Sequence, residues 1–183
     1  MARLAFMTIG LLNEPFGHPR VQGFADRLDA NFAAAEASEG FIGRSVLDEA
    51  TGEETWGAWA APTIFHGGEY LNRTPETLSL WQDLESVFAF AYHGVHAEAL
   101  NNRKEWLVHA RWPNYVAWWV RDDHTPSWQE ACERYDRLER EGASPEAFHF
   151  KQPFGPDGQP ARIDRDVVRR KAAQYARNGQ QTQ

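Results

Sequence analysis

Residues 81–119, WQDLESVFAFAYHGVHAEALNNRKEWLVHARWPNYVAWW, decide the fold that the sequence predicts. The first part predicts a long helix over Asp83–His109, which Gly94 could split into a shorter and a longer piece. Tyr115–Val120 predicts the strand that follows it. At about 100° per residue, several polar and aromatic side chains of this helix fall within roughly 80° of arc. They are Tyr92, His96, Arg103 and Trp106. Because apolar residues flank them, we expect this face to be buried and its polar groups to need partners or a ligand.

Segments on both sides of this stretch complete the predicted order of elements. Residues 19–38 and 127–141 have the 3-4 apolar spacing of helices, and a capping box at Ser127 and Glu130 starts the second. Strand patterns occur at 3–12, 40–47, 77–81, the short edge segment 145–151, and 55–62, where a pocket edge is the alternative. Residues 63–76 predict a loop. The order indicates an α+β fold, with helices on one face of an antiparallel sheet and a ferredoxin-like topology as its simplest form.

The composition favours one acidic domain. At 183 residues, of which 42% are hydrophobic, the chain can bury a sizeable core. Its net charge of −7 disfavours a nucleic-acid partner, because that binding depends on neutralising phosphates. The single cysteine, Cys132, excludes an internal disulfide and fits a packing role in a helix. Without a signal peptide or a membrane span in the pattern, we expect a cytoplasmic location and no membrane partner.

The C-terminal region is basic. Residues 161–183 carry six basic and two acidic side chains, a local balance of +4 that leaves −11 for the rest of the chain. Such a segment is typical of a solvated or disordered extension, and a clamp on an acidic partner surface is the alternative. Because Pro153–Pro160 is rich in Pro and Gly, we expect a domain over 1–152 followed by a linker and basic tail over 153–183.

Short motifs follow one another in a specific order and spacing over residues 3–150. They are Gly23–Asp29, Ala37–Phe41, Leu78–Trp81, Phe90–Tyr92, His96–Glu98, Arg103–Trp106, Trp118–Val120, His124–Pro126 and Ser144–Phe148. Together they resemble a bacterial domain-of-unknown-function family of the dimeric α/β-barrel superfamily, related by fold to antibiotic-biosynthesis monooxygenases. The resemblance implies a homodimer whose two ferredoxin-like sheets face each other to form a barrel, with a ligand cavity between each sheet and its helices. His93 stands where similar sequences tend to have Arg, and residues 151–183 extend past the usual end.

Three residues of the long helix are candidate catalytic groups. His96 has the chemistry of a general base or a metal ligand, and the alternative is a core histidine bonded to a strand carbonyl or to Tyr92. Arg103 suits a substrate carboxylate or enolate, and the alternative is a salt bridge to Glu85, Glu98 or a partner subunit. Tyr92 would orient a substrate oxygen, or else fill the core with its hydroxyl at the rim.

Aromatic and neighbouring side chains are candidate substrate contacts, with simple core packing as the alternative. They are Trp81, Trp106, Trp119, Phe88 and His93. The chain has eight tryptophans, more than an ordinary core requires, and aromatic walls suit flat ligands. His93 and His96 lie about 60° apart on a helical wheel without an evident third ligand, so no metal site is predicted.

Three functions remain open from the sequence. The first is a cofactor-independent enzyme like the antibiotic-biosynthesis monooxygenases, acting on a flat, partly aromatic small molecule by proton abstraction with oxygenation or isomerisation. The second is a haem protein with His96 or His93 as axial ligand and Arg103 on a propionate. The third is a non-catalytic metabolite-binding module. The sequence has no phosphate-binding glycine loop and no Gly-x-Ser-x-Gly elbow, which disfavours nucleotide cofactors and serine hydrolysis.

Overall fold

A four-stranded antiparallel sheet forms the centre of the molecule, in a computed structural model that describes residues 2–70 and 72–180. The side chains of residues 95, 98–102 and 175–180 lie outside this description. The strands are β1 (Ala2–Ile9), β2 (Phe41–Arg44), β3 (Leu47–Asp48), β4 (Glu53–Glu54), β5 (Glu76–Trp81) and β6 (Tyr115–Arg121). The sheet has the order β2-β5-β1-β6, while β3 and β4 pair separately. The α+β class is confirmed, and this strand order is consistent with a ferredoxin-like topology.

The helices lie between and after these strands. They are α1 (Gln22–Ala25), α2 (Leu28–Glu36), α3 (Leu84–Tyr92), α4 (Gly94–Trp106), α5 (Trp128–Glu141) and α6 (Arg165–Gln180). Short 3-10 turns occur at Pro19–Val21, Thr63–Phe65 and Gly68–Tyr70. The helix predicted over residues 19–38 is therefore a turn and two short helices. The strand alternative at 55–62 is wrong, since these residues are irregular. The edge strand predicted at 145–151 reduces to isolated bridges, of which the one between Ala117 and Phe148 joins it to β6.

The helix predicted over 83–109 is divided into α3 and α4, at the Gly94 position where the sequence allowed a break. Asp83 caps α3 by accepting a hydrogen bond from the backbone N–H of Ser86 at 2.7 Å. At the other end His93 is extended, with φ −133° and ψ 162°, and Gly94 has φ +60°. Glycine adopts this left-handed conformation without steric cost, so it permits the turn. The break changes the helix direction, and the predicted line of side chains through Tyr92, His96 and Arg103 does not form.

The sheet is buried on both faces. Met7 lies opposite Leu78 and Val116, and we call this side face A. The neighbouring residue Phe6 points to the other side, face B, where α2 and α3 pack on the sheet. Because β1 is apolar on both sides, each face needs a cover.

Face A is covered by α5, so the expectation that the helices share one face is wrong. Ser127 caps α5 by accepting a hydrogen bond from the backbone N–H of Glu130 at 3.1 Å, which confirms the predicted capping box. The apolar stripe of α5 then packs on the sheet through Trp128, Ala131, Cys132, Tyr135 and Leu138. A barrel closed by two sheets through face A would require α5 to move away.

The basic C-terminal segment is helical and docked, which corrects the expectation of a disordered tail; residues 181–183 lie outside the described part. Phe154 packs in the face B core, and α6 lies along α3 with Val168 only 2% exposed. Lys171 is 5% exposed. Its Nζ donates to Ser86 Oγ at 2.9 Å and lies 3.3 Å from carboxylate oxygens of both Asp83 and Glu39. The three donors of this ammonium therefore have acceptors.

We expect Lys171→Met to lower the free energy of unfolding by about 2 kcal/mol, because it leaves two carboxylates without their buried counter-charge. Methionine keeps the apolar stem, so the loss reports the charge. Arg169→Met is the matched control, since Arg169 is 69% exposed on the same helix and pairs with Asp166 at the surface. Urea unfolding of both variants measures the difference. Equal effects of the two substitutions would contradict a stabilising role for Lys171.

Candidate functional site

The space between face B and α3, where a ligand cavity was predicted, is filled by aromatic rings. Phe150 is central, with its ring centroid 5.6 Å from Phe6, 5.4 Å from Phe88 and 4.9 Å from Tyr115. Tyr92 packs on Phe88 at 4.4 Å, and it is 43% exposed at the surface end of this cluster. Burial, the largest effect, raises the pKa of Tyr115, so its phenol stays protonated. Tyr92 and Phe88 thus take the packing role that was the alternative for them.

His96 is partly buried on α4, and its partner is a carbonyl of α3 rather than the strand carbonyl or the Tyr92 hydroxyl of the core-histidine alternative. Its Nδ1 lies 2.9 Å from the backbone oxygen of Ala91, and its ring centroid lies 4.8 Å from that of Phe90. A carbonyl only accepts, so Nδ1 carries the proton and Nε2 keeps its lone pair in the neutral ring. Burial lowers the pKa of His96, and the carbonyl bond opposes that effect only in part. The imidazole is therefore neutral near pH 7.

Of the other predicted polar residues, His93 lines the same small crevice as His96. Arg103 is exposed in the last turn of α4, and His93 is exposed at the α3–α4 junction. Glu85, one proposed partner of Arg103, accepts a hydrogen bond from the backbone N–H of Asp164 at 2.9 Å. The side chain of Glu98, another proposed partner, lies outside the described residues.

Trp81 and Trp119 pack in the face B core on either side of Leu4, whereas Trp106 lies elsewhere. The indole N–H of Trp81 donates to Ser79 Oγ at 2.9 Å, and that of Trp119 donates to the backbone oxygen of Phe154 at 2.7 Å. Trp106 belongs to a third cluster beside α1. The three rings therefore stabilise packing and do not line one ligand wall.

A narrow crevice beside His96 contains the Lys171 ion pairs. It lies between α3 and α6, and its enclosed space of about 10 Å³ has room for about one water molecule. Partial burial raises the pKa of Glu39, but Arg170 and Lys171 together lower it further, so the carboxylate stays ionised. The crevice is thus a satisfied structural network with little space for a ligand.

The larger opening lies at the rim of face A, and we call it the aromatic pocket. Its volume is about 280 Å³, close to the lower limit for small-ligand sites. The lining residues are Ile64, Phe65, Tyr70, Arg111, Trp112 and Glu139. They come from two loops and from α5, and none was predicted as a site residue.

Aromatic rings form most of this pocket. Phe65 is 5% exposed, and the partly exposed rings of Tyr70 and Trp112 stand nearly perpendicular to it, at 83° and 87°, with centroids 5.5 Å away. The Nε1 of Trp112 is buried and has no hydrogen-bond partner in the described structure. An unsatisfied buried donor is uncommon in native proteins and calls for an acceptor from water or a ligand.

Adjacent residues of α5 hold both pocket loops. Asp136 accepts hydrogen bonds from the backbone N–H of Thr63 at 3.0 Å and from its hydroxyl at 2.6 Å, which fixes the turn that carries Phe65. Tyr135 donates its hydroxyl to the backbone oxygen of Pro113 at 2.6 Å, directly after Trp112. Burial, followed by nearby carboxylates, raises the pKa of Tyr135, so it remains a donor.

Glu76 is a second unusual buried group, separate from the aromatic pocket. Its Oε2 accepts a hydrogen bond from the indole N–H of Trp59 at 3.0 Å, while its buried Oε1 has no partner in the described structure. Burial raises the pKa of Glu76 to about 7, against the weaker opposing effect of the Trp59 and Thr74 hydrogen bonds. Among the described residues, no group of three His, Cys, Asp or Glu side chains is placed to hold a metal ion. Cys132 is buried, and burial raises the pKa of its thiol to about 12, which fits the predicted packing role.

The fold and the pocket together define a mixed α+β domain with a loop-built pocket at one rim of its sheet. The chain belongs to the family described as "Domain of unknown function (DUF3291)", whose model matches residues 3–164. It is also similar to the crystal structure of NE2512, a protein of unknown function from Nitrosomonas europaea, with 18% identity over 69% of this chain and 97% of that one and a TM-score of 0.42. No curated protein matches the chain significantly. None of the helices in the described part combines the length and apolar character needed to cross a membrane.

We expect the unfolding free energy to fall as pH rises from about 4.5 through about 7, because the native state binds the Glu76 proton more tightly than the unfolded chain does. The contribution of the Glu76 proton to the unfolding free energy is about 3 kcal/mol, and it is fully present below the pKa that Glu76 has in the unfolded chain. Glu76→Gln should remove this pH dependence. Relative to the wild type, the variant should therefore have a higher free energy of unfolding at about pH 8 than it has at about pH 4. Urea unfolding at both pH values measures it, with exposed Glu53→Gln as control. An unchanged pH profile in Glu76→Gln would refute the assignment.

Proposed function

We propose that this protein is a small-molecule-binding domain and that the aromatic pocket is its ligand site. The observation that supports the proposal is an opening of about 280 Å³ lined by three aromatic rings, one of which has an unpaired buried indole N–H. Binding sites typically combine apolar and aromatic walls with a few polar groups that orient the ligand. This pocket has that composition, whereas the crevice beside His96 has room for about one water molecule.

The shape of the pocket favours a planar ligand with one or two rings. The rings of Tyr70 and Trp112 offer faces and edges for stacked or edge-to-face contacts. The volume is too small for a tetrapyrrole, so haem binding has no support from this pocket. Binding of a flat, partly aromatic molecule was expected from the sequence, but at other residues.

Catalysis at His96 stays a prediction, as does the relation to antibiotic-biosynthesis monooxygenases. One feature favours it, since a neutral imidazole with Nδ1 bound to Ala91 has Nε2 ready to accept a proton. The substrate would have to open the crevice, and neither Tyr92 nor Arg103 stands beside His96 to assist. A homodimer also stays a prediction, and α5 covers the face that a barrel would use.

Indole is a suitable first probe, and we expect it to bind the full chain with a dissociation constant that Tyr70→Ala raises about tenfold. The substitution removes the ring surface that would contact the ligand, and it spares the buried core because Tyr70 is only partly buried. Tyr92→Ala is the matched control, because Tyr92 is an exposed aromatic residue of the site first predicted. Ligand-observed NMR or calorimetry gives the constants, and circular dichroism checks folding.

Two results would overturn the proposed site. If neither indole nor naphthalene binds the wild type, the pocket does not take planar ligands. If Tyr92→Ala weakens indole binding and Tyr70→Ala does not, the ligand lies near α3, and the original placement of the site is the better one.

A further inference from the structure

The aromatic pocket has two opposite charges at its rim. Arg111 precedes Trp112 in one pocket loop, and Glu139 lies on α5, and both side chains are exposed. Among the described residues neither forms an ion pair, so their charged groups are also more than 4.0 Å from each other. Both groups therefore remain available to a ligand that enters between them.

The absence of an ion pair at Glu139 among the described residues is a consequence of the local sequence. Of the two arginines nearest to it on α5, Arg137 lies 4.0 Å from Glu141, and Arg140 donates to Glu141 at 2.6 Å. Both cations thus pair with Glu141, and among the described residues Glu139 forms no ion pair within 4.0 Å, although it interacts electrostatically with Arg140. Tyr135 and Asp136, one turn earlier, bind the two loops that bring Arg111 to the same opening.

We infer that the ligand of the aromatic pocket is an aromatic zwitterion of the amino-acid type. This inference rests on the proposed function, because it assumes that the pocket binds a planar molecule. The ring would lie against Tyr70 and Trp112, the carboxylate would meet the Arg111 guanidinium, and the ammonium would meet Glu139. A compound with only one charge leaves the other rim group unsatisfied, and a neutral compound satisfies neither.

Four compounds with one ring system separate these contributions. L-tryptophan carries both charges, tryptamine only the ammonium, indole-3-propionate only the carboxylate, and indole neither. Because the rim groups are exposed, each charge should tighten binding by about three- to fivefold, so L-tryptophan should bind about tenfold more tightly than indole. Added salt should reduce this advantage and leave indole binding unchanged.

The test is calorimetry of the full chain with all four compounds, in the wild type and two variants. Arg111→Gln should lower affinity for L-tryptophan and indole-3-propionate by about fivefold and leave tryptamine unchanged. Glu139→Gln should lower affinity for L-tryptophan and tryptamine and leave indole-3-propionate unchanged. Arg169→Gln and Glu133→Gln, exposed residues outside the pocket, are the matched controls and should change nothing.

The outcomes distinguish this inference from the function on which it rests. If all four compounds bind equally well, the pocket takes aromatic rings but the zwitterion assignment is wrong. If L-tryptophan binds best but neither variant changes the order of affinities, Arg111 and Glu139 are not its partners and the assignment is wrong as well. If none of the four binds, the proposed function fails together with the inference.

Discussion

The structure depends on one constraint, which is that the central strand β1 is apolar on both sides. Leu4 and Phe6 point to face B, while Ala5 and Met7 point to face A, and all four are buried. A ferredoxin-like chain covers one face with the helices between its strands, so the other face needs a second copy or an added element. In this chain α5 is that element. Its burial against the sheet decides where ligand space remains.

Because α5 packs along face A, the residues that flank its buried stripe hold and line the aromatic pocket. Tyr135 is buried against the sheet and donates a hydrogen bond to the backbone oxygen of Pro113. Asp136, the next residue, accepts a hydrogen bond from the backbone N–H of Thr63. Glu139 follows on the same side at the rim. The helix period thus places a core residue, a loop anchor and a charged rim residue within about one turn. The same segment that closes the core also builds the opening beside it.

The sequence was sufficient for the α+β class, for the four strands of the central sheet and for the capping box of α5, because these depend on local alternation and on a short-range hydrogen bond. For residues 83–109 it allowed a break at Gly94, but the apolar pattern could not decide between one helix and two, and the left-handed conformation of Gly94 decides for two. The candidate site was missed because Phe65 and Trp112 lie in segments without periodicity and meet only in three dimensions. Large aromatic residues in a Gly- and Pro-containing loop were the one available signal, since such side chains seldom stay in solvent.

The aromatic pocket and α6 also differ in whether the family model matches their residues. The pocket residues lie between positions 64 and 139, inside the matched region 3–164, whereas Lys171 and the rest of α6 lie beyond it. Since α6 packs on α3 behind face B, it contacts neither the pocket loops nor the pocket side of α5. Stability supplied by α6 and ligand binding at the aromatic pocket are therefore separable properties of this fold.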